Sequence, residues 1–198
     1  VLAVEDHYAV SDYGLEYVGK LTNLEELSVA QAFQDTDEGL AFLAPLVNLR
    51  VLDLRRTALA GDGQRHLSNM KELERLDLGA VPIGDESLVA LEPLPNLSSL
   101  NLMATPITDS GMETLGKLRQ LRSLILHDVQ ITDKGLKSLQ SIDRLGRLEL
   151  NNVPITDASV PILEGMSDLV RLDLRGTQIT PGQIAKLIDA LPSTQILH

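Results

Sequence analysis

Leucines at Leu24, Leu49, Leu73, Leu97, Leu121, Leu145 and Leu169 each open the same phrase, spaced by 25 residues once and then by 24 residues five times. A unit this short cannot bury its own apolar face, so it folds only by stacking on its neighbours. The repeat restricts the chain to a solenoid or a related stacked array. The shared pattern is L-x-x-L-x-L-x-x-(T/V)-x-I-T-D-x-G-L-x-x-L-x-x-L, as in "LSSLNLMATPITDSGMETLGKL" from Leu97. An incomplete unit precedes these, with Leu2 and Val4 as its paired apolar positions and "VSDYGL" from Val10 as its second half.

Two periods lie inside each unit. Leu100 and Leu102 alternate with polar neighbours, which predicts a short strand with one face buried. Met112, Leu115 and Leu118 recur every three residues, which places them along one side of a short helix. Between the two, Thr108 or Asp109 stands where a side-chain oxygen can accept from the free N–H groups of the first helical turn, and a carboxylate there meets the positive end of the helix dipole. Asp12, Asp37, Asp85, Asp133 and Asp157 occupy the same place. A ladder of identical sites separated by whole repeats predicts helix caps rather than metal ligands or catalytic acids.

The pattern resembles that of leucine-rich repeat proteins, and its "ITDxGL" half is similar to the bacterial repeats of that family. The resemblance implies an α/β solenoid, with a curved parallel sheet on its concave face and short helices on its convex face. It also implies a hydrogen-bonded corner after the strand. Here that corner is Thr57, Thr105 or Thr177, or else Val81, Val129 or Val153, where packing has to replace the hydrogen bond. Residues 1–198 are expected to form one domain: an incomplete unit over 1–23, repeats over 24–186 and a C-terminal cap over 187–198, where Pro192 breaks the helical phase and Ile196 and Leu197 form a last apolar pair. The chain begins at Val1 in the middle of a unit, so either the aromatic, acidic first two units close the stack themselves or another domain precedes them.

Composition narrows the function classes. Hydrophobic residues make up 43% and the net charge is −11, a balance that argues against wrapping nucleic acid or lying on an anionic membrane. No apolar run approaches the roughly 20 residues needed to cross a bilayer, and residues 1–20 lack the pattern of a signal peptide. Cysteine is absent, which excludes disulfides and thiolate chemistry. The charge is uneven: residues 1–48 hold nine acids against Lys20 alone. All five aromatic residues, Tyr8, Tyr13, Tyr17, Phe33 and Phe42, fall in the same quarter. They either cover the end of the solenoid core or, through Tyr13, Tyr17 and Phe42, meet a preceding domain or a second copy of the chain.

In a stack of parallel strands, equivalent positions line up in stripes along the concave face. Two residues after each leading leucine stand Glu26, Val51, Arg75, Ser99, Ser123, Arg147 and Arg171. Next come Ser28, Asp53, Asp77, Asn101, Ile125, Glu149 and Asp173, and beyond them Ala30, Arg55, Gly79, Met103, His127, Asn151 and Arg175, with Glu5 in the partial unit. Arg55, Arg56, Arg75, Asp53 and Asp77 form one charged patch; Arg147, Glu149, Arg171, Asp173 and Arg175 form another. Asn101, Met103, Ile125 and His127 lie in a less charged centre. Either these charges are solvated pairs worth about 0–1 kcal/mol each, or they form a binding strip of guanidinium forks around an apolar middle. The strip lacks tyrosine and tryptophan, so a transient partner fits it better than a tight one.

Catalysis fits poorly. The best constellation is Ser123, His127 and Asp128, but Ser123 and His127 are about 13 Å apart along a strand, against a hydrogen-bond reach of about 3 Å for a nucleophile and its base. His7, His66, His127 and His198 fall in different units without metal-ligand spacing. No cofactor is expected. The sequence thus predicts a protein-interaction module binding a protein or peptide partner through Arg55, Arg75, Asp77, Asn101, Met103, Ile125, His127, Arg147, Glu149, Arg171, Asp173 and Arg175. Two alternatives stay open: a regulatory or targeting segment of a larger enzyme or receptor, and a receptor for an acidic glycan or peptide.

Overall fold

A computed structural model describes residues 1–3, 12–30, 37–59 and 62–198. The readings made for Val4, Glu5, His7, Tyr8, Val10 and Phe33 lie outside these. Among the described residues one parallel sheet runs in strict sequence order through nine strands. They are β1 (Leu2–Ala3), β2 (Glu26–Ser28), β3 (Val51–Asp53), β4 (Arg75–Asp77), β5 (Ser99–Asn101), β6 (Ser123–Ile125), β7 (Arg147–Glu149), β8 (Arg171–Asp173) and β9 (Gln195–Leu197). Every strand is in register with the next: Leu100 pairs with Leu124, Leu124 with Leu148 and Leu148 with Leu172. These central leucines are fully buried, and the residues on either side of each turn outward along the concave face. The expected stripes are therefore real rows.

Opposite the sheet lie α1 (Asp12–Val18), α2 (Asp37–Leu43), α3 (Asp109–Leu115), α4 (Asp133–Leu136), α5 (Val160–Glu164) and α6 (Pro181–Ala190). Units three and four carry 3₁₀ helices instead, Asp62–Asn69 and Asp85–Leu91. The three-residue apolar spacing suits that geometry, because 3₁₀ side chains three apart eclipse one another. Leucines from both sides meet in one continuous core from Leu15 to Leu191. Helix α6 continues to Ala190, past the expected cap boundary at 187, and Ile196 on β9 then packs against the core. No helix among the described residues is long and apolar enough to cross a membrane.

The turn after each strand is also repeated. Arg56, Ala80, Ala104, Asp128, Asn152 and Gly176 all take the left-handed conformation, with φ between 53° and 74°. Only glycine adopts it without steric cost, and here five side chains are held in it by ladder bonds such as Ala104 N–H to the His127 carbonyl, 2.8 Å. At the corner, the Thr57, Thr105 and Thr177 hydroxyls each donate to a carbonyl three residues earlier at 2.7 Å. Val81, Val129 and Val153 are fully buried there and pack instead.

Of the two capping candidates, the threonine caps α3 as expected, while the aspartate carboxylate reaches the following unit instead, which corrects the expectation for Asp109. Asp109 is the first residue of α3, and the cap is Thr108, whose side chain accepts from Ser110 N–H. The Asp109 carboxylate instead reaches the following unit, accepting from the backbone N–H of Thr132 at 2.7 Å and its hydroxyl at 2.6 Å. Asp85 holds Thr108, Asp133 holds Thr156 and Asp157 holds Thr180 in the same way. Each threonine hydroxyl from Thr108 to Thr156 thus donates to the preceding unit while accepting from its own helix. At Asp133, burial pushes the carboxyl upward, but bonds from Ser159 and Thr156 outweigh this and leave it below the usual carboxylate range.

The ladder is interrupted near the start. Ala60 and Gly61 stand at the Thr-Asp positions of the third unit, and Gly84 at the threonine position of the fourth. Among the described residues the Asp37 Oδ1 atom is buried without a partner. Gln64 stands in the column of Leu40, Leu88, Met112 and Leu136; it is 1% exposed, and neither atom of its amide finds a hydrogen bond among the described residues. An unpaired buried amide costs about 1–3 kcal/mol. Replacing it (Gln64→Leu) should therefore raise stability by about that much, read as a higher urea midpoint with an unchanged slope; an unchanged midpoint would mean that the amide is satisfied in solution.

Candidate functional site

The sheet places the candidate residues on one face but gives its two ends different chemistry. On β7 and β8 the carboxylates lie beneath the arginines. Glu149 retains 6% side-chain exposure, and Arg147, Arg171 and His127 all converge on it. Arg147 Nε donates to Glu149 Oε1 at 2.7 Å, Arg171 Nε stands 3.4 Å from the same oxygen, and His127 Nε2 is 2.7 Å from Oε2. Asp173 is 1% exposed, and Arg175 folds over it, donating from Nε at 2.9 Å and from Nη2 at 2.6 Å. Burial pushes both carboxyls up, but Arg147 and His127 at Glu149, and Arg175 and Asn151 at Asp173, outweigh it and hold them below their ordinary values.

Glu149 and Asp173 were expected among the contact residues. Both lie buried beneath guanidinium groups whose outer edges face solvent. Arg147, Arg171 and Arg175 remain 48%, 36% and 57% exposed. Only one sign of each pair reaches the surface in this patch.

The other end is mixed in sign. Arg55 Nε lies 3.2 Å from Asp53, which is itself 19% exposed. Burial raises the Asp53 carboxyl despite the Arg55 backbone N–H, and neighbouring Asp77 adds to the rise. Asp77 accepts twice from the Asn101 amide at 3.0 Å, and Asn101 Oδ1 accepts from Met103 N–H at 3.0 Å. Arg75 is exposed and makes no ion pair among the described residues. In the centre Met103, Ile125 and His127 are half-buried, and the imidazole is turned to Glu149 rather than to Ser123. No group of three potential metal ligands occurs among the described residues.

The aromatic start presents a second surface. Tyr13 is 79% and Tyr17 69% exposed, with Phe42 partly so. The Lys20 amine sits 4.5 Å above the Tyr17 ring. Tyr13 and Tyr17 thus turn most of their surface to solvent, whereas Tyr8 and Phe33 lie outside the described residues.

The sequence profile described as Leucine Rich repeat matches residues 94–116. Internalin C2 of Listeria monocytogenes is similar over 96% of this chain and 74% of its own, at 25% identity and a TM-score of 0.70. A leucine-rich repeat protein of Leptospira interrogans is similar over 92% of this chain and 51% of its own, at 21% identity and a TM-score of 0.67. The ectodomain of the Arabidopsis receptor kinase HAESA, solved with a peptide hormone ligand, is similar over 92% of this chain and 31% of its own, at 21% identity and a TM-score of 0.66. The chain thus spans about three quarters of the first of these proteins, half of the second and a third of the last. No curated protein matches it in sequence.

Proposed function

We propose that this leucine-rich repeat protein acts through residues 1–198 as one binding domain, without catalysis of its own, and takes a protein or peptide partner on its concave face. The observation that carries the reading is the row of exposed arginines fixed over buried carboxylates beside the half-buried Met103 and Ile125. Preorganised donors next to apolar surface lose little entropy on association, which favours binding. A similar class of occupant is named for HAESA, whose structure contains a peptide hormone. Among the described residues Ser123 and His127 share no hydrogen bond, so the assembled groups suit recognition better than acyl transfer.

The test uses a photo-crosslinking residue at Ile125 and, as a control, at Val89, which is exposed on the helical side. The partner should be captured from Ile125 and not from Val89. Charge reversal (Arg147→Glu with Arg171→Glu) should weaken capture by about tenfold or more, as loss of charge-assisted contacts does, with the circular dichroism spectrum unchanged. Capture from Val89 alone would move the binding surface to the convex side.

A further inference from the structure

Resting on that reading, we infer the chemistry of the occupant: an extended polypeptide segment carrying a carboxylate side chain two to four residues from an apolar side chain. The carboxylate is received by Arg147 and Arg171, and the apolar group by Met103 and Ile125.

The sign of the ligand follows from depth. At the β7–β8 end the protein's carboxylates are 6% and 1% exposed while the guanidiniums above them stand open. Arg147 and Arg175 each spend Nε and Nη2 on their carboxylate, and Arg171 spends Nε and Nη1 on Glu149 and Gln195. One terminal nitrogen of each guanidinium is therefore without a partner among the described residues, and an incoming carboxylate completes it. At the β3–β4 end Asp53 reaches the surface beside Arg55, so that patch offers both signs and selects less strongly.

The amount of charge follows from the whole protein. A net charge of −11 opposes a polyanion such as nucleic acid or a uronic acid chain, whose further charges would meet Glu26, Asp53 and Asp77. One or two carboxylates with an apolar neighbour gain the arginine contacts without that repulsion. Spacing comes from the sheet. Strands stack about 4.8 Å apart and Ile125 stands two residues further along its strand than the row of Arg147 and Arg171, so the two arginines lie about 8–12 Å from Ile125 across the sheet. An extended chain advancing about 3.3 Å per residue covers that distance in two to four residues.

The test is fluorescence anisotropy with short synthetic Gly-Ser peptides containing Leu and, three residues away, Glu, Gln or Lys. The Leu–Glu peptide should bind about tenfold tighter than Leu–Gln at low salt, the effect of one charge-assisted contact, and the advantage should disappear at high salt. The double substitution Arg147→Gln with Arg171→Gln should erase the preference for Glu, so that the Leu–Glu and Leu–Gln peptides bind alike. Ile125→Glu should abolish binding of both peptides. Equal affinity for Glu and Gln, with binding still sensitive to Ile125→Glu, would overturn this inference and leave the concave-face reading standing. Binding insensitive to every one of these substitutions would overturn both, and no binding by any peptide would overturn the inference. Because the salt series and the Leu–Lys peptide are read on the unmodified protein, the outcome does not depend on the variants folding.

Discussion

Leu148→Ala should lower the unfolding free energy by about 2–5 kcal/mol, the range for truncating a fully buried leucine. Leu148 is the middle residue of β7, 0% exposed, and it stands in register between Leu124 and Leu172, both equally buried. The cavity would open between two units at once, and neither neighbour can relax into it without losing its own register. A solenoid's stability is a sum of unit and nearest-neighbour terms, so an interior truncation weakens two interfaces. Ile196→Ala on β9, whose side chain is only partly buried, should cost distinctly less. Urea unfolding of both variants measures the contrast; equal shifts, or an unchanged midpoint for Leu148→Ala, would mean that the leucine row is not the core.

The strand register was legible because one leucine in every unit must point inward, and a slip of one residue would turn it to solvent. The Thr and Val corners were legible for a similar reason: each is a local choice between an internal hydrogen bond and packing. What escaped were partnerships between units. The Asp109 carboxylate looks like a cap because it stands at a helix start, yet its acceptor role is completed 23 residues later by Thr132. The missed signal was the joint occurrence of Thr-Asp in one unit and Thr in the next.

The site was legible as rows but not in depth. Nothing in the alternation of Arg and Asp along β8 says that Asp173 is buried while Asp53, in the same row on β3, stays partly open. The difference comes from neighbours. Glu149 gathers Arg147, Arg171 and His127 from three adjacent strands or turns, and Asp173 has both Arg175 and Asn151 over it. At the other end Asp53 has Arg55 and Ser28, which cover less. Long side chains converging on a short one decide which charge faces the ligand, and that depends on three units taken together.

The same joint reading of units predicts that Gly135→Ala destabilises the protein by about 1–3 kcal/mol, as overpacking does, although helix propensity alone would have alanine stabilise by about 1 kcal/mol over glycine. Gly135 lies in the first turn of α4, and a methyl there would overlap Asp109 Oδ1 and come within 3.1 Å of the Asp109 Cα. Since Cα is backbone, the carboxylate cannot simply swing away while still holding Thr132. The equivalent place in the following unit is Ser159, whose hydroxyl donates to the Asp133 carboxylate. Gly135→Ser should therefore be milder than Gly135→Ala, because the added oxygen donates a hydrogen bond where a methyl only crowds. Removing the obstacle tests the cause: Gly135→Ala with Asp109→Ala should cost less than the sum of the single substitutions by about 0.5–3 kcal/mol, the coupling expected of residues in contact. The cycle is read from urea midpoints. A stabilising Gly135→Ala, or strict additivity with Asp109→Ala, would mean that the glycine of the repeat serves helix geometry rather than the aspartate of the unit before it.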